Sequence, residues 1–233
     1  MAVACARAGA SVVIAPRRAE NGRAVVEEIA AGGDTALLCV CDVTQRADVE
    51  GCVAEAIGRL GHLDFFVHNA TSNRSPEVHR VEDADADLWD EHAAVSIRGS
   101  YYAAAAAFEP LRASRGRFVV MTSPAGIEGS ATLPFYGMVK AAQRTFAKSL
   151  AQEWGPHGIN VNAISPLALT PALDRAFEEN PELEERLAAM IPLGRIGDPE
   201  TDIGAAAVAL LGDAGRYVTA QTWVVDGGRF TGL

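Results

Sequence analysis

Six short apolar runs, each joined to the next by a helix-forming stretch, constrain the fold of this chain more than any other feature. They are Ser11 to Ala15, Thr35 to Cys41, Leu63 to His68, Phe118 to Thr122, Ile159 to Ile164 and Gln221 to Val225. Short runs of mostly apolar residues read as strands buried on both faces, and a helix between consecutive strands makes them parallel. The stretches Met1 to Ala8, Ala19 to Ala31, Asp48 to Arg59, Leu88 to Arg112, Phe135 to Trp154 and Pro199 to Leu211 supply the helices, with Gly9 and Gly32-Gly33 as stops. The pattern predicts a Rossmann-like doubly wound parallel sheet in three α/β/α layers. A length of 233 residues suits one such domain, and no repeat or linker interrupts it.

With 30 acidic against 20 basic residues the net charge is -10, which argues against a nucleic-acid or anionic-membrane surface and for small-molecule partners. Cys5, Cys39, Cys41 and Cys52 form no C-x-x-C pair and read as reduced thiols of a cytoplasmic protein. His62, His68, His79, His92 and His157 show no ligand spacing, so no metal site is expected. No basic leader and no apolar run of membrane-spanning length is present.

Chemistry concentrates between Phe118 and Lys140. Tyr136 and Lys140 are four residues apart, so on a helix they share a face. A free tyrosine titrates near ~10, and a neighbouring ammonium is expected to lower that value so that Tyr136 can exchange a proton with a carbonyl or hydroxyl oxygen. Ser123, at the carboxyl end of the preceding strand, is placed to hydrogen-bond the same oxygen. By itself a Tyr-x-x-x-Lys match is weak and most often marks an amphipathic helix with an ordinary surface lysine.

With Asn160-Val161-Asn162-Ala163-Ile164-Ser165-Pro166 downstream and Val225-Asp226-Gly227-Gly228 near the end, the chain resembles the short-chain dehydrogenase/reductase family, close to bacterial carbonyl reductases of the 3-oxoacyl reductase type. The resemblance covers nearly all of the chain. It implies Ser123, Tyr136 and Lys140 as catalytic residues, with Ser96 in Val95-Ser96-Ile97-Arg98-Gly99 where the family carries an Asn whose backbone carbonyl holds a water against the lysine. It further implies a nicotinamide nucleotide bound by Asp42 and Val43 at the adenine, by Asn69, by Thr170, and by Tyr136 and Lys140 themselves. Pro16 stands where family members preferring NAD place an acidic residue. Arg17 beside it suits a 2′-phosphate, so NADP(H) is favoured over NAD(H), although two adjacent arginines also fit an ordinary basic turn. Residues 171 to 197 match a lid over the substrate and equally a solvated helical hairpin, and residues 72 to 87 read as a solvated loop. The partner implied is a small, mainly apolar ketone or secondary alcohol. Apolar surface on the helices holding Ala103 to Ala107 and Phe146 suggests a homo-oligomer, specifically a tetramer.

Departures from the family keep two other readings open, an isomerase or lyase working without a cofactor on the same scaffold and a non-catalytic protein. Thr71 replaces a glycine, Leu167 stands in a Pro-Gly position, and no Thr-Gly-x-x-x-Gly-x-Gly loop occurs. The family's first strand is also missing. In the order 3-2-1-4-5-6 it would lie between Ser11 to Ala15 and Leu63 to His68, and each backbone group left unpaired there costs about 1 to 3 kcal/mol. The expectation is a natural polypeptide that begins upstream of Met1. In a chain that starts at Met1 the two strands must close on each other, or another segment must fill the gap, and the pyrophosphate site, and with it the cofactor, is lost.

Overall fold

The computed structural model describes residues 1–231, and among these the side chains of all but Pro171, Ala172 and Pro181. Helix α1 (Ala2–Arg7) leads into β1 (Val12–Ile14), α2 (Glu20–Ala31), β2 (Ala36–Leu38), α3 (Arg46–Leu60) and β3 (Phe65–His68). A long helical stretch follows, α4 (Ala86–His92), six residues of π-helix from Ala93 to Arg98, and α5 (Gly99–Ser114), leading to β4 (Arg117–Met121). Then come the single turn α6 (Ala125–Glu128), α7 (Pro134–Trp154), β5 (Asn160–Pro166), α8 (Pro171–Glu179), α9 (Pro181–Ala189), α10 (Ile203–Leu211) and β6 (Thr222–Val225). The six predicted strands are all present, shorter than the apolar runs that announced them, and every strand pairing among the described residues is parallel.

The central strands explain the two-sided core. Phe118, Val119 and Val120 on β4 and Val161, Ala163 and Ile164 on β5 are at most 1 % exposed. Alternation sends Phe118, Val120, Val161 and Ala163 toward Leu111 of α5 and Leu150 and Trp154 of α7. Val119, Met121 and Ile164 face the opposite layer, with Cys5 of α1, Ile29 of α2 and Leu210 of α10. Helices on both faces explain why these strands read as continuous apolar runs rather than alternating ones.

The sheet is interrupted at the place of the missing first strand. Strands β1 and β2 form a two-stranded sheet and β3, β4, β5 and β6 a separate four-stranded one. Strands β1 and β3 do not close on each other, and no described segment lies between them. A cavity of about 910 Å³ occupies the place, lined by both strands and by both helix layers. Helices α1, α2 and α10 line it from one side and α3 from the other.

Two further corrections concern irregular segments. Residues 72 to 87 are not simply solvated: Ser72 is 2 % exposed and donates to Glu91, and His79 N–H donates to the Thr132 carbonyl while its ring packs on Phe135. The predicted helix Leu88 to Arg112 extends from Ala86 to Ser114 and widens to π-helix at Ala93–Arg98, a form that recurs beside functional sites. Residues 171 to 197 form the expected helical hairpin, α8 and α9. Among the described residues no helix is long and apolar enough to cross a membrane.

Candidate active site

Helix α7 begins with Pro134, whose missing N–H costs nothing at a helix start, and places Tyr136 in the first turn and Lys140 one turn later. Two hydrogen bonds stitch this helix to the end of β4. The Thr122 hydroxyl donates to the Lys140 carbonyl (2.9 Å), and Lys140 Nζ reaches back to donate to the Met121 carbonyl (2.8 Å). Ser123 follows at once and is held from the other side, its Oγ accepting from Ala125 N–H (3.3 Å) at the start of α6. Helix α6 rests directly on α7 through glycine: a Cβ on Gly126 would stand 2.6 Å from the Lys140 carbonyl carbon, and one on Gly137 would stand 2.9 Å from the Ala125 oxygen. The absence of two side chains therefore sets how closely Ser123 approaches Tyr136.

The electrostatics of this pair differ from the expectation. Burial pushes the Tyr136 phenol up from its ordinary value, and the Ser123 side chain beside it pulls it partly back. Lys140, 3 % exposed, does not depress the phenol, and its Nζ lies 5.7 Å from the ring centroid while bound to the Met121 carbonyl. Instead burial brings the ammonium itself down to about 8. The phenol is thus a neutral proton donor at pH 7, with Ser123 positioned beside it.

Behind the pair lies a buried polar cluster that the sequence did not announce. Gln143, at helical spacing from Lys140, donates through Nε2 to the Ser96 carbonyl (3.1 Å) and to Ser100 Oγ (2.9 Å), and the Ser100 hydroxyl donates to the same carbonyl (2.6 Å). The Ser96 carbonyl, expected to hold a water against Lys140, thus accepts from both Gln143 and Ser100. Ser96 Oγ, Gln143 Oε1 and His68 Nε2 are buried without a partner among the described residues. Burial, helped by the Lys140 charge, pushes the His68 imidazole down to about 3 and keeps it neutral. His92, 1 % exposed, sets its ring 6.4 Å from that of Tyr136 with both nitrogens unpartnered. A polar residue inside an apolar helical stripe was the signal that could have revealed Gln143; His68 and His92 had none beyond their residue type.

The residues expected at a nucleotide fall elsewhere. Arg17, Asp42, Val43 and Asn69 line one end of the cavity between β1 and β3, where Pro16 and Thr71 also stand. Ser123, Tyr136, Lys140, Ser96 and Thr170 do not line it. Asp42 Oδ1 accepts from Thr44 N–H (2.9 Å) and Oγ1 (2.8 Å), leaving Oδ2 free of bonds to described residues, and exposed Arg17 makes no ion pair with a described residue. A free carboxylate oxygen, a free guanidinium and the Asn69 amide at the carboxyl ends of β1, β2 and β3 fit the adenosine half of a dinucleotide. Thr170 caps α8, its Oγ1 accepting from Leu173 N–H (3.2 Å).

Parallel strands with helices on both faces and a cleft reaching the carboxyl ends of β1 and β3 define a Rossmann-like α/β class. A family model described as Enoyl-(Acyl carrier protein) reductase matches residues 1–229. L-rhamnose 1-dehydrogenase (NAD(P)(+)) of Azotobacter vinelandii is 32 % identical over 235 residues, covering 98 % of this chain and 90 % of the relative. The crystal structure of a gluconate 5-dehydrogenase from Burkholderia cenocepacia, in complex with NADP and tartrate, superposes with TM-score 0.89 at 27 % identity, covering 100 % of this chain and 90 % of that one. That of 3-ketoacyl-(acyl-carrier-protein) reductase from Brucella melitensis with NADH gives 0.88 at 27 % identity, covering 98 % and 91 %. The chain belongs to the short-chain dehydrogenase/reductase family, whose relatives named here are oxidoreductases acting on alcohols and carbonyls.

Proposed function

We propose that this chain is a reversible ketone and secondary-alcohol oxidoreductase in which Tyr136 donates the proton to the carbonyl oxygen during reduction. The observation that carries this reading is the phenol kept protonated by burial, beside Ser123 and fixed by the stitch from Lys140 to β4. Ser123 Oγ orients the substrate oxygen toward the phenol, and lowering of the barrier follows from holding donor and acceptor in hydrogen-bond reach. Lys140, near its own titration point, is suited to returning a proton to Tyr136. A nicotinamide nucleotide, when bound, supplies or accepts the hydride. Arg17, Asp42, Val43 and Asn69 would hold its adenosine half, Thr170 its carboxamide end, and Tyr136 and Lys140 its nicotinamide ribose. Arg17 with Pro16 in place of an acid supports NADP(H) over NAD(H).

Residues 1–233 are read as one domain of a cytoplasmic homo-oligomer, a tetramer by preference. Ala103, Ala104 and Ala107 are spent in the core, so its apolar contacts would come from the exposed Ile97, Tyr101 and Met138. The substrate is read as a small, mainly apolar carbonyl, from half-buried Ile127 and Leu133 in the loop between Ser123 and Tyr136, with α8 and α9 as the lid. Purified protein titrated with NADPH and NADH by nucleotide fluorescence tests the reading: micromolar NADPH binding supports it. Absence of binding with either nucleotide favours acid and base chemistry without a cofactor, a reading supported by Thr71 and Leu167 standing where the family has glycines.

A further inference from the structure

Three of the four cysteines meet where β2 runs out against α3. Past the last residue of β2 the chain stays extended beside β1, with Cys39 N–H donating to the Ile14 carbonyl (2.9 Å) and Cys41 N–H to the Pro16 carbonyl (3.0 Å). Two residues apart on extended chain, the thiols of Cys39 and Cys41 fall on one face. Cys52, in the second turn of α3, stands between them and bonds to each through its side chain. Asp48, one turn earlier, fixes the helix there, its Oδ2 accepting from Asp42 N–H (3.1 Å).

The three thiols are not alike. Cys52 S–H donates to the Cys41 sulfur, which holds the Cys41 thiol below its ordinary value, and the same bond together with burial pushes Cys52 up. Burial and the neighbouring Glu55 carboxylate push Cys39 up, and its own S–H is turned to the Val40 carbonyl (4.0 Å). Thiolates are the nucleophiles, and selective oxidation needs a thiol of lowered value with a second thiol in reach to resolve it. Cys41 meets the first condition and Cys52 the second. Cys41 is 4 % exposed and Cys52 half-buried, which is access enough for a hydroperoxide hardly larger than water. Cys5 stands apart in the opposite layer, pushed up by burial, and serves as the internal reference.

We propose that Cys41 and Cys52 form a modification site for hydrogen peroxide, closing to a reversible disulfide between the end of β2 and α3. The Cys41 thiolate attacks one peroxide oxygen, the O–O bond breaks, and hydroxide leaves with the electron pair and takes up a proton as water, with Cys41 now a sulfenic acid. The Cys52 sulfur then attacks the Cys41 sulfur, the S–O bond breaks, and the Cys52 proton leaves with the hydroxyl as a second water. Two thiols are oxidised to one disulfide and the peroxide is reduced to two waters. Asp42 and Val43 follow Cys41 directly, so the bond acts at the residues assigned above to the adenine. That consequence rests on the proposed nucleotide, whereas the modification does not.

The test treats the whole reduced protein, without nucleotide, with a few equivalents of hydrogen peroxide, blocks the remaining thiols with iodoacetamide and maps the peptides by mass. A link between Cys41 and Cys52 that dithiothreitol reverses is expected, formed about tenfold faster than Cys5 is oxidised. Cys52→Ser should stop at the Cys41 sulfenic acid, trapped by dimedone, and Cys41→Ser should give no link; if either variant does not fold, the map of the wild type decides alone. Four results would overturn the proposal: no link at millimolar peroxide, a link from Cys39 to Cys52 in its place, undiminished linking in folded Cys41→Ser, or oxidation of all four cysteines at equal rates, which means indiscriminate damage. The linked protein should bind NADPH at least threefold more weakly than the reduced one, and equal affinity would overturn the link to the adenine site. If neither form binds NADPH, the proposed function falls, and the peptide map still decides the modification.

Discussion

Burial of Lys140 should make this protein gain stability as the pH rises through the alkaline range, and replacing that one side chain should abolish the gain. The ammonium is 3 % exposed, its one hydrogen-bond partner among the described residues is the uncharged Met121 carbonyl, and burial lowers it from 10.5 to about 8. The direction follows from proton counting. Between the two values the unfolded chain keeps the proton that the native protein has released, so stability rises with pH there, is complete above the unfolded value and is lost as the pH falls through the folded one. At about 1.4 kcal/mol per unit, the difference in unfolding free energy between wild type and Lys140→Met should grow by about 2.5 kcal/mol from pH 7 to pH 10. Methionine keeps most of the chain length without the charge, and the loss of one hydrogen bond displaces the curve without bending it. Urea unfolding of both proteins at half-unit steps of pH gives the comparison, with every other titrating group cancelling. A difference that stays level to within a few tenths of a kcal/mol, or that shrinks as the pH rises, would show that the ammonium is solvated or paired and would remove Lys140 from the buried face of the site.

Gly126→Ala forces a Cβ against the backbone of Lys140 and Ala141 and should cost about 1 to 3 kcal/mol in urea unfolding; a neutral result would mean that α6 does not rest on α7. Thr122→Val deletes the donor to the Lys140 carbonyl while keeping the shape, and about 1 to 2 kcal/mol of stability should go with it, read from the unfolding midpoint. Arg17→Ala should weaken NADPH about ten- to a hundredfold in a fluorescence titration and leave NADH unchanged, since a guanidinium bonded to a 2′-phosphate contributes on the order of 1.5 to 3 kcal/mol; equal loss for both nucleotides would show that Arg17 reads no phosphate.

What the sequence revealed and what it hid divide along the reach of the interactions. The strands at Phe118 to Thr122 and Ile159 to Ile164 were legible because burial on both faces writes a continuous apolar run, and Tyr136 with Lys140 because helical spacing is local. The π-helix at Ala93–Arg98 left no trace, since its cause lies in packing against α7 and in the hydrogen bonds from Gln143 to Ser96 and Ser100. The polar stretch 72 to 87 looked solvated because its anchors, the Thr132 carbonyl and the Phe135 ring, are distant in sequence. The phenol of Tyr136 was expected to be lowered by Lys140. Proximity was read correctly, but depth was not, and in a buried site desolvation decides the direction. The gap between β1 and β3 was legible as a missing strand, because the run of strands and helices starts one strand late relative to the doubly wound order.

The central claim rests on one hydroxyl, and Tyr136→Phe removes it with little else. Wild type and variant should be compared for reduction of a panel of small apolar ketones and 3-ketoesters, followed by the loss of NADPH absorbance, with melting temperature and NADPH affinity measured on the same samples. A positioned general acid contributes about 10²- to 10⁴-fold. The account predicts a fall in turnover of at least a hundredfold, with melting temperature and nucleotide affinity close to wild type. Retention of more than about a tenth of wild-type turnover by a folded, nucleotide-binding variant would contradict it, because the proton would then come from another group.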